Sequence, residues 1–274
     1  MRRMLNWKSF LVFKIGMTIA YCFSGMIRRL DECGPKWKEI IEKNPGDVYG
    51  HFWDISDRSN DNDTVDKFVE LFNPKKIEIE NFESFKESTI DIMMKNIIIP
   101  TDLWLAIQDS IRGGRFISFH YKIWKANQLS LQEKYDVIVR CRTDYYPDTN
   151  IKFEINNMIN VPTGMICVQS WNHAVGPIDL FAYGNRKLMN YYSCVYLYIM
   201  KYLNQGFYCY PYEYILGVHL NHKDISIREL PIDIFGKDHS SCNSWVSKVE
   251  NIYNTSPLPP MNPTHYAYIE NRSL

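Results

Sequence analysis

The sequence predicts an α/β fold built on a mostly parallel central sheet flanked by helices. Three observations predict it. Apolar, β-prone segments alternate with segments of helical spacing through the first half of the chain. The 274 residues contain 46% hydrophobic and 23% charged residues, which is the composition of a globular protein and not of a disordered one. No internal repeat interrupts the alternation, and at about 150 residues per domain the length fits one large domain or two small ones.

Ile15–Phe23 is apolar and stops at Ser24-Gly25, as a buried strand entering a loop does. Arg28–Lys43 carries Leu30, Trp37, Ile40 and Ile41 at near-helical spacing and ends at Asn44-Pro45-Gly46. Asp47–Ile55 reads as a second strand, Thr64–Phe72 as a short helix and Ile77–Ile79 as a third strand. Phe82–Ile99 and Phe116–Leu131 read as helices, with a flexible Arg112-Gly113-Gly114-Arg115 loop between them. Tyr135–Arg142 is the most strand-like segment of all. Met165–Gln169, Ile178–Tyr183 and Ile225–Leu230 read as later strands, and Lys187–Leu203 and Tyr212–Leu220 as helices.

Composition also limits function. Lys+Arg and Asp+Glu both number 31, so the basic excess that a broad nucleic-acid surface needs is missing. Seven cysteines, an odd number without any C-x-x-C, argue against a disulfide framework and a cysteine zinc site, and fit a reducing, cytoplasmic setting. Lys8 and Lys14 interrupt the apolar stretch Leu5–Phe23, so residues 1–14 read as a leader and not as a stable membrane insertion. The Pro-rich end, 254–274, reads as a tail.

In parallel sheets, ligands bind beyond the carboxyl ends of the strands. Three places qualify: Ser24-Gly25 with Arg28, Asp54, and Arg142 to Asp148. Glycine at position 25 permits close backbone approach, and Arg28 opens a helix whose amides could also meet phosphate. Asp54 could accept from a base or ribose, while His51 and Trp53 share a face and could simply pack. On the central strand, Ile138, Arg140, Arg142 and Asp144 share one face by alternation. Two arginines and an aspartate at the exit of an apolar strand are costly to bury unless paired or liganded. Asp144 could hold a divalent cation and the arginines could grip phosphate, or the group could be a structural pair. Asp179 and Glu213 are positions for a carboxylate base, although Glu213 could merely favour its own helix N-terminus.

Other patterns carry less. Asp61-Asn62-Asp63 lies in a polar loop and reads as a solvated helix-cap region. His219-x-x-His222 with His239 lacks a third ligand at fixed spacing, so it does not read as a zinc site, although one of these histidines could contact diphosphate or a metal.

YDVIVRCRTDYYPD (135–148) resembles the "YD-x-x-(I/V)-R-x-R-x-D" segment of small GT-A-type glycosyltransferase-like proteins, including those encoded by large DNA viruses of algae. KIGMTIAYCFSGMIRR resembles their opening strand and "SG-x-x-R" turn, and DVYGHFWDIS their "D-V-(F/Y)-x-H-x-W-D" strand. GPIDLFAYGNRKLM and PYEYILGVHL are similar to two later segments, so the resemblance covers about residues 14–220. It implies a single GT-A-like domain over 15–253 that takes a nucleotide sugar, a UDP-sugar, and passes the sugar to a glycan or glycoprotein acceptor. It also implies Mn2+ or Mg2+ at Asp144, a nucleotide-sugar site at Ser24, Gly25, Arg28, Asp54, Arg140 and Arg142, and Asp179 or Glu213 as base. The sequence departs from the family's paired D-x-D, since Asp144 alone occupies the matching position and Asp148 follows four residues on. The alternatives are a nucleotide-sugar phosphohydrolase or nucleotidyltransferase, which would attack phosphorus, and a non-catalytic carbohydrate-binding protein.

Overall fold

The computed structural model describes residues 17–55, 63–95, 115–147, 165–168, 171–172, 176–177, 179–205, 212–223, 225–229 and 234–235. The leader at 1–14, the tail at 254–274, Asp61, Asn62, Asp148 and His239 lie outside the described residues.

The strands are β1 (Ile19–Gly25), β2 (Asp47–Trp53), β3 (Lys76–Glu80), β4 (Val137–Cys141), β5 (Tyr146–Pro147), β6 (Met165–Val168), β7 (Trp171–Asn172), β8 (Gly176–Pro177), β9 (Ala182–Asn185), β10 (Ser226–Glu229) and β11 (Ile234–Phe235). Seven of them form the central sheet in the order β10-β6-β9-β4-β1-β2-β3. β1 runs parallel to β2 and β4, β2 parallel to β3, and β6 parallel to β10; β9 alone is antiparallel to its neighbours β4 and β6. The expected mostly parallel α/β sheet is what the chain forms.

The helices are α1 (Leu30–Lys43), α2 (Val65–Phe72), α3 (Phe82–Phe85), α4 (Asp91–Lys95), α5 (Arg115–Ser130), α6 (Arg186–Ser193), α7 (Val195–Asn204) and α8 (Tyr212–Asn221), with a π-helical turn at Lys86–Ile90 between α3 and α4. Side-chain alternation along the strands divides the core into two layers. Ile19, Tyr21, Phe23, Val48, Phe52, Val137, Val139 and Cys141 pack on one face with Leu30 and Trp37 of α1 and Phe68 of α2. Ala20, Cys22, Tyr49, Trp53 and Ile138 pack on the other with α5, α6, α7 and α8. Both faces of β1 and β4 are thus covered, which is why these strands read as continuous apolar runs. The five described cysteines are free, and four of them are buried. Among the described residues no helix is long and apolar enough to cross a membrane.

Several boundaries differ from the sequence reading for local reasons. Ser24 and Gly25 still belong to β1, because they pair with His51 and Phe52 of β2. Helix α1 starts at Leu30, since Arg29 takes a left-handed conformation with φ 52°. The predicted strand Ile178–Tyr183 is displaced: Asp179 and Leu180 form a turn, and the strand begins at Ala182. Lys187–Leu203 is two helices that meet at Cys194.

Candidate functional site

The order β4-β1-β2-β3 places β2 and β3 on one side of β1 and β4 on the other. The chain reverses its direction of growth between β1 and β4, and a crevice opens beyond the carboxyl ends of strands at such a switch. Cys22 of β1 lies beside Arg140 of β4, so the residues that follow each strand come together there.

On the β1 side, Gly25 has φ 116°, a conformation that side-chain-bearing residues rarely adopt, and among the described residues no heavy atom beyond its chain neighbours lies within 4 Å of the position a Cβ would take. The strand therefore ends beside open space. The backbone N–H of Arg28 donates to Thr143 Oγ1 (3.0 Å), and that hydroxyl donates to the Met26 carbonyl (3.2 Å). The N–H groups of Arg29 and Leu30 donate to the Asp63 carboxylate at 2.8 and 2.7 Å. Helix α1 is capped from a distant loop, so these two amides, expected as possible phosphate donors, already have a partner. Asp63 is a buried cap for α1, while α2, the helix next to it in sequence, is capped by Thr64.

On the β4 side stands a cluster of charge. Arg142 grips Asp144 with Nε on Oδ1 at 2.8 Å and Nη2 on Oδ2 at 2.7 Å. Arg28 Nη1 is 3.9 Å from the same Oδ2. Burial raises the proton affinity of Asp144, but the charge and hydrogen bonds of Arg142, with Arg28 behind them, prevail and hold its carboxyl below the ordinary range. Arg140 is deeply buried, donates to its neighbour's carbonyl at Cys141, and lies 5.8 Å from the Phe119 ring of α5. Its strongest ionic influence is Asp179. The antiparallel course of β9 explains that pairing: Arg140 lies beside Ala182, so the residues ahead of β9 reach the carboxyl edge of β4. Glu213 enters from the first turn of α8, and Tyr192 of α6 stands in the same field, acted on by Asp179, Arg140 and Glu213.

Asp179 acts electrostatically on Glu213. Burial raises the Asp179 carboxyl despite the opposing pull of Arg142 and Arg140. Burial first, and then the charge of Asp179, push Glu213 up to about 8. Three arginines, Arg28, Arg140 and Arg142, and three carboxyl groups, Asp144, Asp179 and Glu213, thus stand at this edge.

Five buried polar atoms meet no hydrogen-bond partner among the described residues and belong to this edge: Ser24 Oγ, Arg140 Nε, Asp179 Oδ2, Tyr192 Oη and Glu213 Oε2. A buried polar group without a partner costs about 1–3 kcal/mol, so such groups are normally rare. Their concentration at the switch point is what a site for a polar ligand requires.

The structure therefore brings together Ser24, Gly25, Arg28, Arg140, Arg142, Asp144, Asp179 and Glu213. Asp54 is placed differently. Its carboxylate accepts from Asn81 Nδ2 (2.6 Å) and the Phe82 N–H (3.0 Å), so it caps α3 on the β3 side of the edge. His219 uses both ring nitrogens in the core, with Tyr202 Oη at 2.7 Å and the Tyr191 carbonyl at 2.8 Å, so it contacts no diphosphate. Sequence reasoning missed Thr143, Tyr192 and Lys122. Thr143 stands between Arg142 and Asp144 in the motif and could have been found there; Tyr192 carries no sequence signal. Lys122 is fully buried, with Nζ 2.8 Å from the Phe52 carbonyl, 3.2 Å from Glu80 and 3.4 Å from the Trp53 ring centroid. Burial lowers it to about 7. It clamps the end of β2.

A divalent cation does not fit at Asp144 as the carboxylate is placed. Both oxygens are engaged by Arg142, and Arg28 stands beside one of them. Among the described residues no group of three His, Cys, Asp or Glu is arranged to hold a metal.

Fold and site together define an α/β protein with a cluster of buried charge at the switch point of its sheet. No protein-family model matches the chain, and no curated protein does. Among solved structures the chain is similar to mouse xyloside xylosyltransferase 1 in its apo form, with 10% identity and a TM-score of 0.35, covering 78% of this chain and 84% of that one. The likeness carries no argument about chemistry, which rests on the side chains.

Proposed function

We propose that the protein is a glycosyltransferase of GT-A type that binds a nucleoside diphosphate sugar, a UDP-sugar, in the crevice between β1 and β4. The observation that carries this reading is the group of unpartnered buried polar atoms set among three arginines and three carboxyl groups. The motif resemblance over β1, β2 and β4 points the same way.

In this reading the nucleotide lies along Ser24, Gly25 and the outer Asp54 side of the edge, and the diphosphate faces Arg28 and Arg142. The glycan or glycoprotein acceptor approaches from Asp179 and Glu213. Its hydroxyl oxygen forms the bond to the anomeric carbon. The bond from that carbon to the diphosphate oxygen breaks, and the electron pair leaves with UDP. The hydroxyl proton passes to the ionised member of the Asp179–Glu213 pair, the base of an inverting course. Positive charge fixed beside the leaving diphosphate lowers the barrier because it is in place before the charge develops. The free thiols among the described residues support a reducing compartment, the cytoplasm, as the setting of this reaction.

The test is incubation of the full chain with UDP-, GDP- and dTDP-sugars and an acceptor glycan library, reading nucleotide release and acceptor mass. Release of UDP with a glycosylated acceptor is expected. Release of UMP would reassign the site to attack at phosphorus, and tight binding without turnover would reassign it to a binding protein.

A further inference from the structure

The departure of Asp144 from a metal ligand has a counterpart in the arginines around it, and the inference drawn from it rests on the nucleotide-sugar reading. We propose that Arg28 and Arg142 hold the donor's diphosphate directly, with no bridging metal ion, and that Asp144 is a positioning residue that sets the two guanidiniums.

The geometry supports each half. The Arg142 fork spends its Nε–H and one Nη2–H on Asp144. A guanidinium carries five N–H donors, so three remain. Arg142 and Arg28 keep 21% and 19% of their side-chain surface exposed, whereas Arg140 is buried and lies within the electrostatic reach of Asp179. The first two are the arginines that can meet a ligand. Arg28 is fixed at its root, because its own N–H is tied to Thr143. Two guanidiniums side by side offer the planar forks that suit a diphosphate.

The competing sources of positive charge are weaker. The N–H groups of Arg29 and Leu30 at the start of α1 are occupied by Asp63. A dication at Asp144 would have to displace the Arg142 fork and would then stand beside two guanidiniums. Among the described residues the space next to Gly25, at the end of β1, is open, which leaves room for a ligand at this edge.

Calorimetric titration of the full chain with UDP, in EDTA and again in manganese chloride, separates the possibilities. The expected result is binding in EDTA with a Kd that manganese changes less than twofold. Arg28→Gln should weaken UDP binding in EDTA about tenfold, the loss of one charge-assisted contact, while the melting temperature stays near the parent's. Asp144→Asn keeps an oxygen for Arg142 and should hold UDP affinity within about threefold, whereas Asp144→Ala should lose more. Binding that appears only with manganese, or tightens tenfold with it, overturns the metal-free assignment and leaves the transferase reading standing. Full affinity in Arg28→Gln, or equal affinity in Asp144→Asn and Asp144→Ala, overturns the arginine and positioning roles. No UDP binding under either condition overturns both this inference and the nucleotide-sugar reading.

Discussion

Arg142 and Asp144, two residues apart, close a two-pronged ion pair at the exit of β4, at 2.8 and 2.7 Å. Such a pair forms across a single intervening residue because both side chains leave the strand end on the same side. Thr143 between them points the other way and ties β4 to the β1 turn.

Breaking that pair from one side leaves a poorly hydrated charge. Arg142→Met should lower the unfolding free energy in urea by about 1.5–3 kcal/mol, the range for hydrogen bonds to charged groups. The double variant Arg142→Met with Asp144→Asn should be less destabilised than the sum of the two single changes. Strict additivity would mean that the pair does not act as a unit.

The acceptor base should separate from donor binding. Of Asp179→Asn and Glu213→Gln, one should reduce kcat by roughly 10²-fold or more while UDP affinity survives. Near-normal turnover in both variants would move the base elsewhere.

The raised carboxyl of Glu213 has a sign in stability. Between the ordinary carboxylate range and about 8, the folded chain keeps a proton that the unfolded chain has lost. The contribution is therefore fully present below the unfolded value and lost as pH rises toward 8. The melting temperature of the ligand-free protein should fall from pH 5 to pH 8, and Glu213→Gln should flatten that fall. Asp144 acts oppositely: its lowered carboxyl supports the fold above its ordinary range and loses that support in acid. A parent and Glu213→Gln with identical pH profiles would show that Glu213 titrates normally.

Asp63 links the loop before α2 to the start of α1 through two backbone donors. Asp63→Ala should cost about 1–2 kcal/mol, as the loss of a good helix cap does. Asp63→Asn should recover part of that loss. Equal urea midpoints for parent and Asp63→Ala would remove the cap assignment.

The sequence by itself determined the strand–helix alternation, the apolar central strands and the charged exit of Tyr135–Asp148, because these follow from periodicity along a short stretch of chain. It also placed Ser24, Gly25, Arg28, Arg142 and Asp144 at strand ends, which is where a parallel sheet puts ligand residues. Tertiary structure alone decided which strand ends meet. Position 179 joins Arg140 only because β9 runs antiparallel beside β4, and Glu213 joins them only because α8 begins at that edge. The same long-range packing gave Asp54 to α3, Asp63 to α1 and His219 to the core. A carboxylate or imidazole carries no mark of its partner in the sequence. Its role is set by which donors, arginines or rings the fold brings within about 3–4 Å, where hydrogen bonds and ion pairs act.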